Sequence, residues 1–118
     1  MTDLLKLEEQ FNRMVLEGKP EDAIQRFYGA DAQLQENMEP PIVGKQAILE
    51  RERNFLAGVK EQRPPVLHGF AVGDDVTFSE WTYDMTLKDG TRLVFNEVAR
   101  RQWRDGHVVH ERFYYSRG

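Results

Sequence analysis

The chain has 118 residues, with 16 lysines and arginines against 20 acidic residues and a formal net charge of −4. That length suits a single domain over 1–118 with one core, burying about two-thirds of the surface the unfolded chain exposes. Cysteine is absent, which excludes disulfides, iron–sulfur clusters and thiol catalysis, and basic residues interleaved with acidic ones leave no concentrated positive surface for nucleic acid.

The opening segment, Met1 to Glu9, is charged and lacks the apolar run of a signal peptide. No stretch approaches the ~20 apolar residues of a membrane span. A cytoplasmic protein with no membrane partner is expected. Leu4, Leu7, Phe11, Met14 and Val15 recur at helical spacing and predict a helix over 3–17, capped by Thr2 or Asp3 and ended by Gly18. Pro20, followed by Ala23, Ile24 and Phe27, predicts a second short helix. Residues 32–37 alternate as a half-buried strand does, until Pro40-Pro41. A third helix is expected from Gly44 to about Val59, burying Ile48, Phe55 and Leu56. Strands over 66–72, 76–87, 91–103 and 108–115 complete the chain. Helices early and strands late indicate an α+β fold, with three N-terminal helices packed on a curved, mainly antiparallel sheet.

Lys88-Asp89-Gly90 and Arg104-Asp105-Gly106 read as two three-residue hairpin loops with glycine in the left-handed position. Counting back from them pairs Tyr83 with Phe95, Trp81 with Glu97, Arg101 with Val109, and Ala99 with Glu111. One sheet face then carries Trp81, Tyr83, Met85, Leu93, Phe95, Glu97, Ala99, Arg101, Trp103, Val109, Glu111, Phe113 and Tyr115. This apolar face belongs under the helices, because a slip of one residue would turn a whole strand over.

Glu97, Arg101 and Glu111 are embedded in that face, and Glu36 follows Ala32 and Leu34 on the inward side of the first strand. Burying a charge without a partner costs several kcal/mol or forces neutralisation. A desolvated glutamate beside a second one holds a proton near neutral pH and suits general acid/base work. Glu111, Glu97 and Glu36 are therefore candidate catalytic acids, and Arg101 a candidate for an anionic group or developing oxyanion. The competing reading is a structural Arg101–Glu111 ion pair, with Glu36 paired to an arginine of the third helix such as Arg53. Trp81, Tyr83, Phe95, Phe113 and Tyr115 either line a ligand cavity or form core. His107 and His110 are three apart on a strand and point to opposite faces, which disfavours a metal. The glycines form no phosphate-binding fingerprint and no serine sits in a nucleophile elbow, so neither a cofactor nor a metal is expected.

Phe27-Tyr28-Gly29-Ala30-Asp31-Ala32, Ile42-Val43-Gly44-Lys45-Gln46-Ala47-Ile48, Asn96-Glu97-Val98-Ala99, Trp103-Arg104-Asp105-Gly106 and Glu111-Arg112-Phe113-Tyr114-Tyr115 together resemble the SnoaL-like branch of the nuclear transport factor 2-like superfamily, over about 4–117. The resemblance implies a cone-shaped α+β barrel, often a homodimer joined through the outer sheet face, and a pocket for a small apolar molecule. Its members include cyclases, isomerases, dehydratases, epoxide hydrolases and non-enzymes, so the fold alone assigns no reaction. Glu36 falls where steroid isomerases carry a proton-shuttling aspartate. Phe11 replaces their oxyanion tyrosine and Ala99 their second, proton-donating aspartate, which puts classical steroid isomerisation in doubt and places both positions in the expected pocket. Glu97, Arg101 and Glu111 resemble the arginine between two acids of limonene-epoxide hydrolases without that spacing. The Asp or His of polyketide cyclases is not matched. The implied function is binding of a small apolar molecule, with proton-transfer catalysis of isomerase, cyclase, dehydratase or hydrolase type as the enzymatic form of that reading; the alternatives are a non-catalytic ligand binder and a dimeric interaction domain using Val94, Val98 and Tyr114.

Overall fold

A computed structural model describes residues 3–116. Helix α1 spans Leu4–Leu16. The Asp3 carboxylate caps it by accepting from the Lys6 amide at 3.2 Å. Gly18, at φ +76°, lets its own amide reach the Val15 carbonyl at 3.0 Å and the Lys19 amide reach Met14 at 2.8 Å, which closes the helix. Pro20 occupies the first turn of α2, Pro20–Phe27, where its missing amide is not needed. Helix α3 covers Lys45–Ala57. It buries Ile48 and Leu49, whereas Phe55, expected inside, is 40% exposed.

The strands are β1 (Tyr28–Glu36), β2 (Ile42–Val43), β3 (Val59–Gln62), β4 (Val66–Val72), β5 (Val76–Leu87), β6 (Arg92–Arg104) and β7 (His107–Tyr115). They form one sheet ordered β2-β1-β7-β6-β5-β3, with β4 also paired to β5. β5 is long enough to hold β4 along its first half and β3 along its second on one edge, while its whole length pairs with β6 on the other. Only the β1–β7 pairing is parallel among those described; the others are antiparallel. The result is the expected α+β architecture, three helices on a strongly curled sheet. β1 begins at Tyr28, four residues earlier than the alternation indicates. β3 has no apolar alternation to reveal it, since Lys60, Glu61 and Gln62 follow Val59.

The first hairpin has the expected register: Met85 opposes Leu93, Tyr83 opposes Phe95 and Trp81 opposes Glu97. The second does not. Its turn has two residues, Asp105 at φ +51° and Gly106 at φ +80°, between paired Arg104 and His107. This conformation favours the Asp-Gly dipeptide and matches the strands' twist. A bulge then shifts the ladder between Gln102 and Trp103, so Arg101 opposes Glu111 and Ala99 opposes Phe113. The expected pairs Arg101–Val109 and Ala99–Glu111 are thus corrected. The bulge also sends Val108, fully buried, into the core in place of Val109. The shorter turn and the bulge together displace the register by two residues, so Glu97, Arg101 and Glu111 keep the inward face.

Candidate functional site

A polar network lies buried in the core between α1 and the sheet. Glu8 and Asn12 lie one helical turn apart on the inward face of α1 and are buried. β6 supplies Arg101 and β7 supplies Glu111, each only 2% exposed. The Arg101 guanidinium donates from Nη1 to both Glu8 carboxylate oxygens, at 3.0 and 3.1 Å, and to Asn12 Oδ1 at 2.8 Å. Its Nε donates to Glu111 Oε2 at 2.6 Å. The other Glu111 oxygen accepts from the Tyr28 hydroxyl. Glu8 also accepts from Thr77 Oγ1 at 2.8 Å and Asn12 Nδ2 at 3.1 Å; Thr77 in turn accepts from Trp103 Nε1 at 2.9 Å. The guanidinium carbon sits 3.8 Å from the centre of the Phe11 ring.

The electrostatics follow from this enclosure. Burial opposes the charged form of Arg101, but Glu111 and Glu8 outweigh it and hold its pKa above the ordinary value. Burial, then the charge of Glu111, raises Tyr28 well above the usual phenol range, so its hydroxyl remains a donor. The formal balance of one guanidinium and two carboxylates leaves one negative charge in excess. Arg101 Nη2 makes no hydrogen bond to the described residues, and Arg101 and Glu111 both border the pocket above.

That pocket has a volume of about 910 Å³ and opens between the helices and the curled sheet. Phe11, Leu34, Met85 and Phe113 supply apolar wall, and Tyr83, Phe95 and Tyr115 form a run of neighbouring rings with centroids 5.5 and 5.8 Å apart. Besides Glu17 and Glu111, three glutamates border the space, with different fates. Glu36 is engaged by Arg51, not by Arg53, which pairs with Glu21 at 3.3 Å. Glu97, on β6, and Glu52, on α3, make no ion pair or side-chain hydrogen bond with the described residues. Burial, reinforced by Glu111 against the pull of Arg101, pushes Glu97 up to about 8. Burial likewise raises Glu52, with Arg51 opposing. The Tyr83 hydroxyl has no hydrogen-bond partner among the described residues; burial, and then Glu97, raise its pKa so that it stays protonated.

The residues singled out in the sequence divide accordingly. Glu97, Arg101, Glu111, Glu36, Phe11, Tyr83, Phe95, Phe113 and Tyr115 border this one space. Trp81 and Ala99 are buried behind the wall, with Trp81 Nε1 donating to Ser79 Oγ at 2.8 Å. Glu8, Asn12, Tyr28, Glu52 and Thr77 were not singled out. The readable signal was that Glu8 and Asn12 flank the helical arc of Leu4, Phe11 and Val15, where a polar residue turned inward needs a buried partner. Among the described residues no three His, Asp or Glu side chains are gathered to hold a metal ion, and no helix is long and apolar enough to cross a membrane.

The sequence matches the model of the SnoaL-like domain over residues 8–111. No functionally curated protein matches it. Among solved structures, the fold is similar to a SnoaL-like protein from Mesorhizobium loti provisionally assigned as a polyketide cyclase, with 23% identity, 97% of this chain and 100% of that one covered, and a TM-score of 0.88. It is similar to a Catenulispora acidiphila protein of ketosteroid isomerase-like fold in complex with trimethylamine, at 15% identity, 88% and 81% coverage and a TM-score of 0.74. It is also similar to TerC co-crystallised with polyporic acid, at 14% identity, 93% and 92% coverage and a TM-score of 0.75. At these identities the likenesses speak for the fold alone.

Proposed function

The chain belongs to the SnoaL-like domain family, and from that premise we propose that its pocket receives a small, largely apolar molecule on which Glu97 transfers a proton. One observation carries the reading: Glu97 is a carboxyl on the pocket wall with no partner among the described residues, and burial, then Glu111, push it up to about 8. Such a group is predominantly protonated at neutral pH yet keeps a usable fraction of carboxylate, the condition for efficient general acid/base catalysis. Glu111 does not have this freedom, because Arg101 and Tyr28 occupy both its oxygens. Its role is to hold Arg101, whose Nη2 is left to meet a carbonyl or enolate oxygen of the bound molecule. Glu36 is the reserve acid, tied to Arg51 at the mouth. Two distant structural relatives bound to an amine and to polyporic acid support occupancy by a small molecule.

The test is exchange of carbon-bound protons in D2O, followed by NMR across a panel of small apolar ketones. The wild-type protein is expected to accelerate exchange α to the carbonyl of at least one ketone. The rate should rise about tenfold per pH unit below pH ~8 and level above it, as the Glu97 carboxylate forms. Glu97→Gln should abolish the acceleration while retaining the fold. Exchange undiminished in Glu97→Gln would overturn the assignment.

A second reading concerns assembly. Val66, Phe78, Val94 and Tyr114 are exposed on the outer sheet face, which favours a homodimer joined there. Light scattering should then give twice the chain mass, and Val94→Glu should return it to one.

A further inference from the structure

We infer that the molecule taken by this pocket is an organic cation, an amine or quaternary ammonium compound whose positive head lies between the Glu97 carboxyl and the rings of Tyr83, Phe95 and Tyr115. The inference rests on the ligand-pocket reading above and adds the charge of the ligand. Three independent features support it.

The first is the balance of charge. Each arginine bordering the space is already matched: Arg51 by Glu36, Arg63 by Asp84 at 3.1 Å, and Arg101 by Glu8 and Glu111. Glu52 and Glu97 have no cationic partner of this kind among the described residues. Once Glu97 ionises, a cationic head supplies a positive charge that the described residues do not bring to these two carboxyls.

The second is the rings. Glu97 stands between Trp81 on β5 and Tyr115 on β7 in the ladder, with Phe95 two residues away on its own side of β6. Tyr83 and Phe95 stack at 5.5 Å, and Phe95 and Tyr115 follow at 5.8 Å. Aromatic faces beside a carboxylate attract alkylammonium groups, and the attraction grows when the site is desolvated. The third is the Tyr83 hydroxyl, on a half-buried side chain bordering the pocket and without a hydrogen-bond partner among the described residues. Its lone pairs offer an acceptor to an N–H or to the polarised methyl groups of a quaternary head.

Such binding is linked to pH. Glu97 faces Arg101 on its own strand, Glu111 and Tyr115 on β7, Tyr83 on β5, Glu36 on β1 and Glu52 on α3. The acids among these favour its neutral form and Arg101 opposes them. A cation favours the carboxylate, so it should bind tighter as pH rises and Glu97 ionises.

Titration of the full chain with choline and with its neutral isostere 3,3-dimethylbutan-1-ol, at about pH 6 and about pH 9, tests the inference. At the higher pH, choline should bind at least about tenfold tighter than the alcohol, a preference worth roughly 1.4 kcal/mol. The preference should shrink at the lower pH and fall to within about threefold in Glu97→Gln, the neutral alcohol's affinity being unchanged. Equal or tighter binding of the alcohol at the higher pH would overturn the cation assignment and leave the apolar-pocket reading standing, as would an undiminished preference in Glu97→Gln. Binding of neither compound would overturn both. Tyr83→Phe, which keeps the ring, should weaken choline only a few-fold; a larger loss of the alcohol than of choline would also count against the proposal.

Discussion

Glu97 and Glu111 are the same residue type on the same face of the same sheet, on adjacent strands, yet their surroundings give them opposite work. Glu111 opposes Arg101 and has a tyrosine hydroxyl on its second oxygen. Glu97 opposes Trp81 and Tyr115, roughly 13 Å further along the strand, where no cationic side chain among the described residues is within hydrogen-bonding reach. A buried carboxyl with its oxygens filled is a structural part, while one on the pocket wall without such partners is pushed toward its protonated form. The difference lies in which neighbours four residues of strand bring alongside.

The harshest way to break this contrast is to empty the filled end. Arg101→Met keeps the side chain's bulk but leaves Glu8 and Glu111 buried without their cation. Urea denaturation should show a loss of about 3–5 kcal/mol, the usual cost of stranding a buried charge. Replacing Glu8, Arg101 and Glu111 together by apolar residues of similar volume should cost far less than Arg101→Met alone, because no charge is stranded.

Glu97→Gln sharpens the contrast from the other side. Folding raises the Glu97 pKa from 4.5 to about 8. The stability this group contributes is therefore complete below pH ~4.5 and is lost as pH climbs to about 8, while the unfolded chain ionises and the folded one does not. Urea midpoints against pH should show the wild type falling behind Glu97→Gln across that window and running parallel to it above. Parallel curves throughout would show that Glu97 is not desolvated. Thr77→Val should cost about 1–3 kcal/mol by the same measurement, since the Trp103 indole N–H loses its acceptor and Glu8 Oε1 one of its donors. Arg53→Gln, which breaks an exposed pair with Glu21, should change stability by less than about 0.5 kcal/mol.

The same contrast marks where the sequence could be read. The hairpin around Lys88-Asp89-Gly90 was legible because alternation on β5 and β6 agrees with its turn, and that placed Glu97 beside Trp81 inside the fold. The hairpin around Asp105-Gly106 was legible in its faces but not in its pairs. Val108 and Val109 are equally apolar, so hydropathy cannot say which one a bulge turns inward. That ambiguity hid the Arg101–Glu111 opposition. Glu8 was harder still: its partner Arg101 lies 93 residues away, and a lone acid on an apolar helix face names no partner by itself. Phe55 was expected inside because the spacing of Ile48, Phe55 and Leu56 fits one face, but it borders the open pocket beside Glu52 and Leu56 and so stays exposed.

The bulge in the last hairpin carries a consequence for how this fold can change over evolutionary time. Its short turn and its extra residue are a matched pair of errors in parity, each of which alone would turn Glu111, Phe113 and Tyr115 out of the interior. Insertions and deletions in this corner are therefore tolerated two at a time, or one at a time only when the kink disappears with them. Lineages that differ by a single residue at the tip should carry a straightened or doubly kinked neighbour strand, whatever the chemistry of the chamber it encloses.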